Sequence, residues 1–426
     1  MLPAQMLVEA RLPSHALEDP AAAAASRLDA FLAGVDCRDR RIAVGLGSRG
    51  IDRIAEVGRA VVAALEARGA RPFVIPAMGS HGGGTAEGQV ELLESFGITE
   101  ESTGAPLRPS MDVVELGCTA AGEPVFTARE ALESDGVVLV NRVKPHTDFE
   151  SVRVGSGIIK MTAIGLGKVE GAAACHRAAR RHGYEEAILA AARVVRSRLP
   201  LLAGVALVED PHHRLARIEV LPAAEIEARE PALLAQARAW MPALPFAEID
   251  VLILDEIGKN ISGAGMDTNV VGRGVDGMPF LAARAKARTI YVRGLTAESH
   301  GNAVGMGLAD VVRSRVVEVM DSRATYTNAL SAMTPATVRI PMHFDTDAEC
   351  LKAVLRVSGA DAERARIVRV RNTLALDRFV ASEVYAAEVA ARDDLTVVRP
   401  PRPWGLDAEG NFDPAGDLLA AGGSPR

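Results

Sequence analysis

The sequence predicts an α/β fold built from mainly parallel sheets. Short apolar runs rich in Val, Ile and Leu alternate with stretches of helical spacing. A strand-helix-strand-helix order gives parallel pairing with right-handed crossovers. Some of these runs are apolar throughout rather than alternating, as strands covered on both faces are. The chain is 426 residues long, more than one ordinary core holds, so two α/β domains are expected. A new unit starts near Ile249, which gives domains over residues 1–245 and 246–400. Residues 401–426, rich in Pro, Gly and Asp, form a tail expected to wrap the surface or to be loose.

The elements follow in order. The run Arg-Ile-Ala-Val-Gly-Leu at 41–46 is a buried strand that breaks at Gly47-Ser48-Arg49-Gly50. Ile54, Val57, Val61, Val62 and Leu65 recur at three- and four-residue steps, which predicts a helix stopped at Gly69. Residues 72–76 form the next strand, and the glycine-rich loop beyond it carries His81. Thr85 caps a helix that runs through Leu93. Residues 136–141 are a continuous apolar strand leading toward His146. The Ala-rich stretch 169–196 has few breakers and puts His176 on a helix or at its start. Residues 204–208 and 216–220 read as strands joined in a hairpin by the polar turn 209–214. A helix over 225–240 ends before Pro242 and Pro245. In the second half, strands are expected at 251–254, 289–292 and 367–370, with a helix from about Gly305 to Val319. No internal repeat is visible.

Composition removes several function classes. The net charge is −7 and no Lys/Arg face is evident, which argues against a general nucleic-acid binder. The one basic cluster, Arg177 to His182, reads as a solvated helix face. Cys37, Cys118, Cys175 and Cys350 are far apart, form no CxxC pair and suit a reducing cytosol. The first eighteen residues lack a basic region followed by an apolar core, and the alanine run 21–25 is too short to span a bilayer. A cytoplasmic protein without nucleic-acid or membrane partners is expected.

Chemistry-bearing residues gather where apolar runs end, and loops at the carboxyl ends of strands build sites in open α/β sheets. Arg49, between Ser48 and Gly50, is placed to grip a carboxylate bidentately, or is an ordinary surface arginine. His81 precedes Gly82-Gly83-Gly84, whose backbone can approach a ligand or cradle a phosphate; the competing reading is a turn histidine. His146 follows Pro145, whose fixed φ stiffens it as a base requires, unless it only caps a turn. Lys160 ends an apolar segment, either partly buried for covalent use or reaching out to solvent. His176, sixteen residues later, is a metal ligand or a satisfied core histidine. Lys259, Asn260, His300 and Asn302 lie just beyond strand-like runs of the second half and are candidates for contacting the distal part of a substrate.

Together these segments resemble the nickel-dependent lactate racemase family. The matching pieces are Ser48-Arg49, Gly79-Ser80-His81, the run from Cys118 to Val125, Pro145-His146, and Lys160 with His176 at the family's spacing. The resemblance covers roughly residues 41–177. It implies two α/β domains with the active site in the interdomain cleft and a nickel-pincer nucleotide as cofactor. It implies that Lys160 tethers that nucleotide, covalently or not, and that His176 completes the nickel coordination. By the same resemblance Ser48, Gly82 and Gly83 line the nucleotide, His81 and His146 are the acid/base pair, and Arg49 holds the substrate carboxylate. The implied activity is racemisation or epimerisation of a 2-hydroxy acid by hydride transfer to and from the cofactor. Ile159 stands where the family carries a basic residue, and residues 260–267 lack the family's Tyr-Gln-x-x-Lys segment. The substrate is therefore expected to be lactate-like or larger, a sugar acid included. Two further readings stay open: a dehydratase or other non-racemising enzyme on the same scaffold, and a protein that binds the pincer nucleotide without turnover.

Overall fold

The structure is a computed structural model that describes residues 2–47, 50–280, 283–413 and 419. The chain divides into two compact units. The first comprises Pro13–His146 and Ser151–Met241; the second comprises Met1–Leu12, Thr147–Glu150 and Pro242–Arg426. The fold is mixed α/β with mainly parallel sheets. No helix among the described residues is long and apolar enough to cross a membrane.

The chain opens with β1 (Gln5–Ala10), which belongs to the second unit. The first unit's five-stranded sheet comes from β2 (Arg41–Leu46), β3 (Arg71–Pro76), β6 (Gly136–Arg142), β7 (Leu201–Glu209) and β8 (Leu215–Pro222). Between β3 and β6 the chain makes a separate antiparallel hairpin of β4 (Val113–Cys118) and β5 (Pro124–Ala128). The spatial order is β3-β2-β6-β7-β8, parallel except for the β7–β8 hairpin. The chain therefore reverses direction between β2 and β6, the switch point beside whose carboxyl ends ligands bind in open α/β sheets. Ile42, Val44, Leu46, Val138 and Val140 are buried against Val57, Val61 and Leu65 of the helix Ile54–Ala67. Burying each such side chain contributes roughly 1.5–3 kcal/mol relative to leaving it exposed.

The second unit contributes β9 (Glu248–Leu254), β10 (Lys286–Val292), β11 (Val311–Arg313), β12 (Met342–Phe344), β13 (Ile367–Val370), β14 (Arg378–Ser382) and β15 (Leu395–Arg402). With β1 they form one sheet ordered β12-β11-β10-β9-β13-β14-β1-β15. The five strands from β12 to β13 are parallel, and the remainder are antiparallel. At its centre lies a buried ion network. Asp347 accepts from Arg293 Nε and Nη2, both at 2.9 Å, from the Tyr291 hydroxyl, and from the Phe412 backbone N–H at 2.8 Å. Asp255 accepts from Arg293 Nη1 at 2.8 Å and Arg369 Nε at 2.7 Å. The Phe412 ring covers both guanidiniums, at 4.6 and 4.5 Å. These contacts hold the Asp347 carboxyl far below the usual carboxylate range despite its burial.

Several sequence expectations need correction. The boundary expected at 245 falls between Met241 and Pro242, and the chain start leaves the first unit because Met6, Leu7 and Val8 are buried in β1 between β14 and β15. The helix expected over 305–319 is a short 3₁₀ turn, then β11, then the helical segment Ser314–Glu318. Val311 and Val312 are β-branched and fully buried, and they pair with Tyr291 and Val292. Residues 169–196 hold two helices, Lys168–His182 and Tyr184–Arg198, parted at Gly183 with φ 81°. Other expectations hold. Thr85 Oγ1 accepts from Gly88 N, Gly69 takes a left-handed φ after the helix Ile54–Ala67, and β7 and β8 form the hairpin. The described part of the tail keeps to the surface, as expected: residues 401–403, 406, 408 and 409 are exposed, with anchors where Trp404 donates to Pro3 O and Phe412 is buried.

Candidate active site

Three loops leave the carboxyl ends of neighbouring parallel strands in the first unit. The loop after β2 begins at Gly47, the loop after β3 carries His81, and the segment after β6 leads to His146. Ser48 and Arg49 lie outside the described residues. The adjoining chain is tied down by Glu209 on β7, which accepts from Asp52 N at 3.1 Å and pairs with Arg142 on β6.

His81 is half-buried at the head of a tight turn, in which Gly82, Gly83 and Gly84 all have positive φ. The two glycines expected to line a nucleotide differ in their surroundings. A Cβ on Gly82 would stand 2.4 Å from Gly88 O, so Gly82 lets the turn pack on the helix that follows. A Cβ on Gly83 would meet no atom of the described residues within 4 Å, which leaves this backbone open to a neighbour. Residues on the far side of the first unit's His146 loop return to it: Lys144 and Ser156 exchange two backbone hydrogen bonds of 2.7 Å. His146 itself is half-buried.

Lys160 closes a single helical turn, Ile158–Lys160, that runs into a π-type turn, Met161–Gly165. Two side chains clamp this turn. Asn141 Nδ2, at the end of β6, donates to Gly157 O at 3.0 Å. Glu230, on the helix Ile226–Trp240, accepts from Ile159 N at 3.0 Å. Gly157 is needed there, since a Cβ would stand 2.3 Å from Glu230 Oε1. Glu230 is 1% exposed and its Oε1 has no hydrogen-bond partner among the described residues. Burial pushes its carboxyl up from the ordinary 4.5 to about 7, although the N–H groups of Ile159 and Ile158 oppose the rise.

His176 lies in the middle of the helix Lys168–His182, with its ring edge-on to Tyr184 at 6.2 Å. Its neighbour Cys175 is buried, which raises the thiol to about 12, while the charge on Lys160 pulls the other way. Lys160 and this part of the helix are thus within electrostatic reach of each other. The His81 loop rests on the same segment: Gly79 N donates to Gly165 O at 3.0 Å, and a Cβ on Gly79 would meet Ile164 and Ala172. A Cβ on Gly47 would meet Asn141 and Met161. The loops after β2, β3 and β6 and the segment from Lys160 to His176 therefore share one edge of one sheet.

Lys259, Asn260, His300 and Asn302 belong to the second unit, in the loops that follow β9 and β10. There their side chains hold the loops in shape. Lys259 Nζ donates to Gly263 O and to Asn328 Oδ1, Asn260 Oδ1 accepts from Thr296 Oγ1 at 2.7 Å, and Asn302 Oδ1 accepts from Val304 N at 3.3 Å. His300 sits in left-handed backbone with φ 46°.

The sequence did not single out Asn141, Glu230, Gln89 or Lys168. Gln89 and Lys168 are both buried; Gln89 bonds to carbonyls of the His81 loop, and Lys168 to the carbonyl that ends β3. The isolated Lys168 between Gly167 and Val169, at the head of an Ala-rich helix, is the one local signal that could have drawn attention. Among the described residues no group of three or more His, Cys, Asp and Glu side chains could hold a metal ion by itself.

No protein-family model matches the sequence, and no curated protein matches it. Solved structures share the fold, two of them as follows. One is the lactate racemase apoprotein of Thermoanaerobacterium thermosaccharolyticum, with a TM-score of 0.51 and 12% identity over 83% of this chain and 92% of that one. The other is a Thermotoga maritima protein, with a TM-score of 0.50 and 13% identity over 66% of this chain and 72% of that one. The fold of this chain is lactate-racemase-like.

Proposed function

We propose that this chain is a cytoplasmic racemase or epimerase of a 2-hydroxy acid, lactate-like or larger, that works with a nickel-pincer nucleotide. The observation that supports the reading is the shared sheet edge: the His81 loop packs on the turn that follows Lys160 and on the start of the His176 helix, and the segment leading to His146 leaves the same edge from β6. The residues fit such a cofactor. One lysine on a clamped turn lies within electrostatic reach of the helix that carries one half-buried histidine. A pincer nucleotide brings its own carbon and sulfur donors, so it asks the protein for a single metal ligand rather than a cluster. Lys160 would hold the nucleotide and His176 the nickel, with Ser48 and the open backbone at Gly83 beside the nucleotide.

When bound, that group supplies a hydride acceptor, which no ordinary side chain can provide. The protein's part is to bind, orient and move protons. Arg49 is assigned to the substrate carboxylate, where a guanidinium binds bidentately. His81 takes the hydroxyl proton from one enantiomer and His146 from the other, each within about 3 Å of the hydroxyl oxygen in its productive pose. Two bases are needed because the hydroxyl points to opposite sides in the two hands. Lys259, Asn260, His300 and Asn302 are assigned to the distal part of the substrate.

Protein made alongside the enzymes that synthesise the cofactor tests this reading. Stoichiometric nickel and interconversion of the two hands across a panel of 2-hydroxy acids and sugar acids are expected. Nickel with loss of water from substrate would favour a dehydratase, nickel with no turnover a binding protein, and no nickel would remove the cofactor from the reading.

A further inference from the structure

Two backbone carbonyls of the loop that carries His81, and the carbonyl that ends β3, are held by one buried pair of side chains. Gln89 is fully buried on the helix after the loop, and its Nε2 donates to Gly79 O at 2.9 Å and to His81 O at 3.3 Å. Its Oε1 accepts from Lys168 Nζ at 3.2 Å. The same ammonium donates at 2.6 Å to the O of Pro76, the last residue of β3. Lys168 is 2% exposed and opens the helix that bears His176, in left-handed backbone with φ 53°. It stands midway in sequence between Lys160 and His176.

This is an unusual use of a charge. The acceptors of Lys168 are a carbonyl and an amide oxygen rather than a carboxylate. Burial pulls its pKa down to about 8, opposed by the more distant charge on Glu130. An apolar side chain would fill the space without that desolvation cost. What the ammonium adds is direction: charge-assisted bonds to fixed acceptors, shorter and stronger than neutral ones. A proton-transfer group must be held to about 0.5 Å, by partners that are themselves locked.

We propose that Lys168 and Gln89 are positioning residues whose buried relay locks the His81 loop onto the helix that bears His176. This rests on the reading of His81 as an acid/base. The relay touches the backbone of the loop, so it sets where His81 stands and takes no part in the chemistry.

Two variants test it. Gln89→Glu keeps an acceptor for Lys168 but replaces the donor that faces Gly79 and His81 with an acceptor. Lys168→Met keeps the volume and removes the charge. With ¹³C-labelled histidine, the His81 imidazole resonances should move in both variants, while those of His182 and His343 stay in place. In nickel-loaded enzyme, exchange of the substrate's C2 hydrogen should fall about tenfold for the hand that His81→Ala loses, and hold for the other. Unmoved His81 resonances in folded variants, or equal loss for both hands, would overturn the proposal. If His81→Ala itself spares both hands, the acid/base reading falls, and the resonances alone then support or overturn the relay. If Lys168→Met does not fold, Gln89→Glu carries the test, because the buried ammonium keeps a partner.

Discussion

Glu230→Gln should stabilise the first unit in a way that grows with pH. The Glu230 carboxyl is buried, bonded through one oxygen to Ile159 N and without a partner at the other among the described residues. Its pKa rises from the ordinary 4.5 to about 7 on folding. Below 4.5 both folded and unfolded chains carry the proton, and ionisation costs nothing. Between these values the unfolded chain ionises and the folded one does not, so stability falls by about 1.4 kcal/mol per pH unit. Above 7 the loss is complete, at about 3 kcal/mol. Glutamine keeps an oxygen for Ile159 N–H and cannot ionise. The difference between variant and parent should therefore widen by about 2–3 kcal/mol from pH 5 to pH 8. Urea unfolding followed by fluorescence measures it. The chain has two tryptophans, Trp240 in the first unit and Trp404 in the second, so a Trp404→Phe background isolates the first. A gap that stays constant with pH would refute the buried, proton-binding carboxyl.

Further outcomes follow from the same contacts. Asp347→Ala strips Arg293 of two bonds and Phe412 of its N–H acceptor, and should cost about 3–5 kcal/mol in urea unfolding of the second unit. His176→Ala should lose nickel or hold it poorly, as metal analysis reads directly. Intact-protein mass should exceed the sequence mass by the nucleotide if the tether is covalent, and Lys160→Ala should remove that excess; active enzyme with no added mass would establish a non-covalent site.

The first unit was legible where its strands announce themselves. The β2 and β6 runs are apolar on both faces, and the turn chemistry at Gly69 and Thr85 is local, so each could be read without knowing what packs against it. The second unit hid more. Residues 305–319 carry enough Val and Leu to suggest a helix, but Val311 and Val312 pair with β10, a partner the local pattern does not reveal. Strand β1 has its partners at the opposite end of the chain. The candidate site shows the same division. His81 and His146 stand beside glycine and proline just past strand ends, whereas Lys160 and His176 lie in helical segments and were marked only by their spacing. Glu230 and Lys168 stand in ordinary helical sequence and act on backbone atoms 71 and 92 residues away, so only the folded chain exposes them.

The most direct test of the account is isotope exchange from C2-deuterated D and L substrates by nickel-loaded His81→Ala and His146→Ala. Net racemisation should suffer in both directions in each variant, because the equilibrium between mirror images cannot change. Each variant should nevertheless exchange the C2 hydrogen of one hand and not the other, and the two variants should spare opposite hands. Equal residual exchange from both hands in both variants would contradict the two-base assignment.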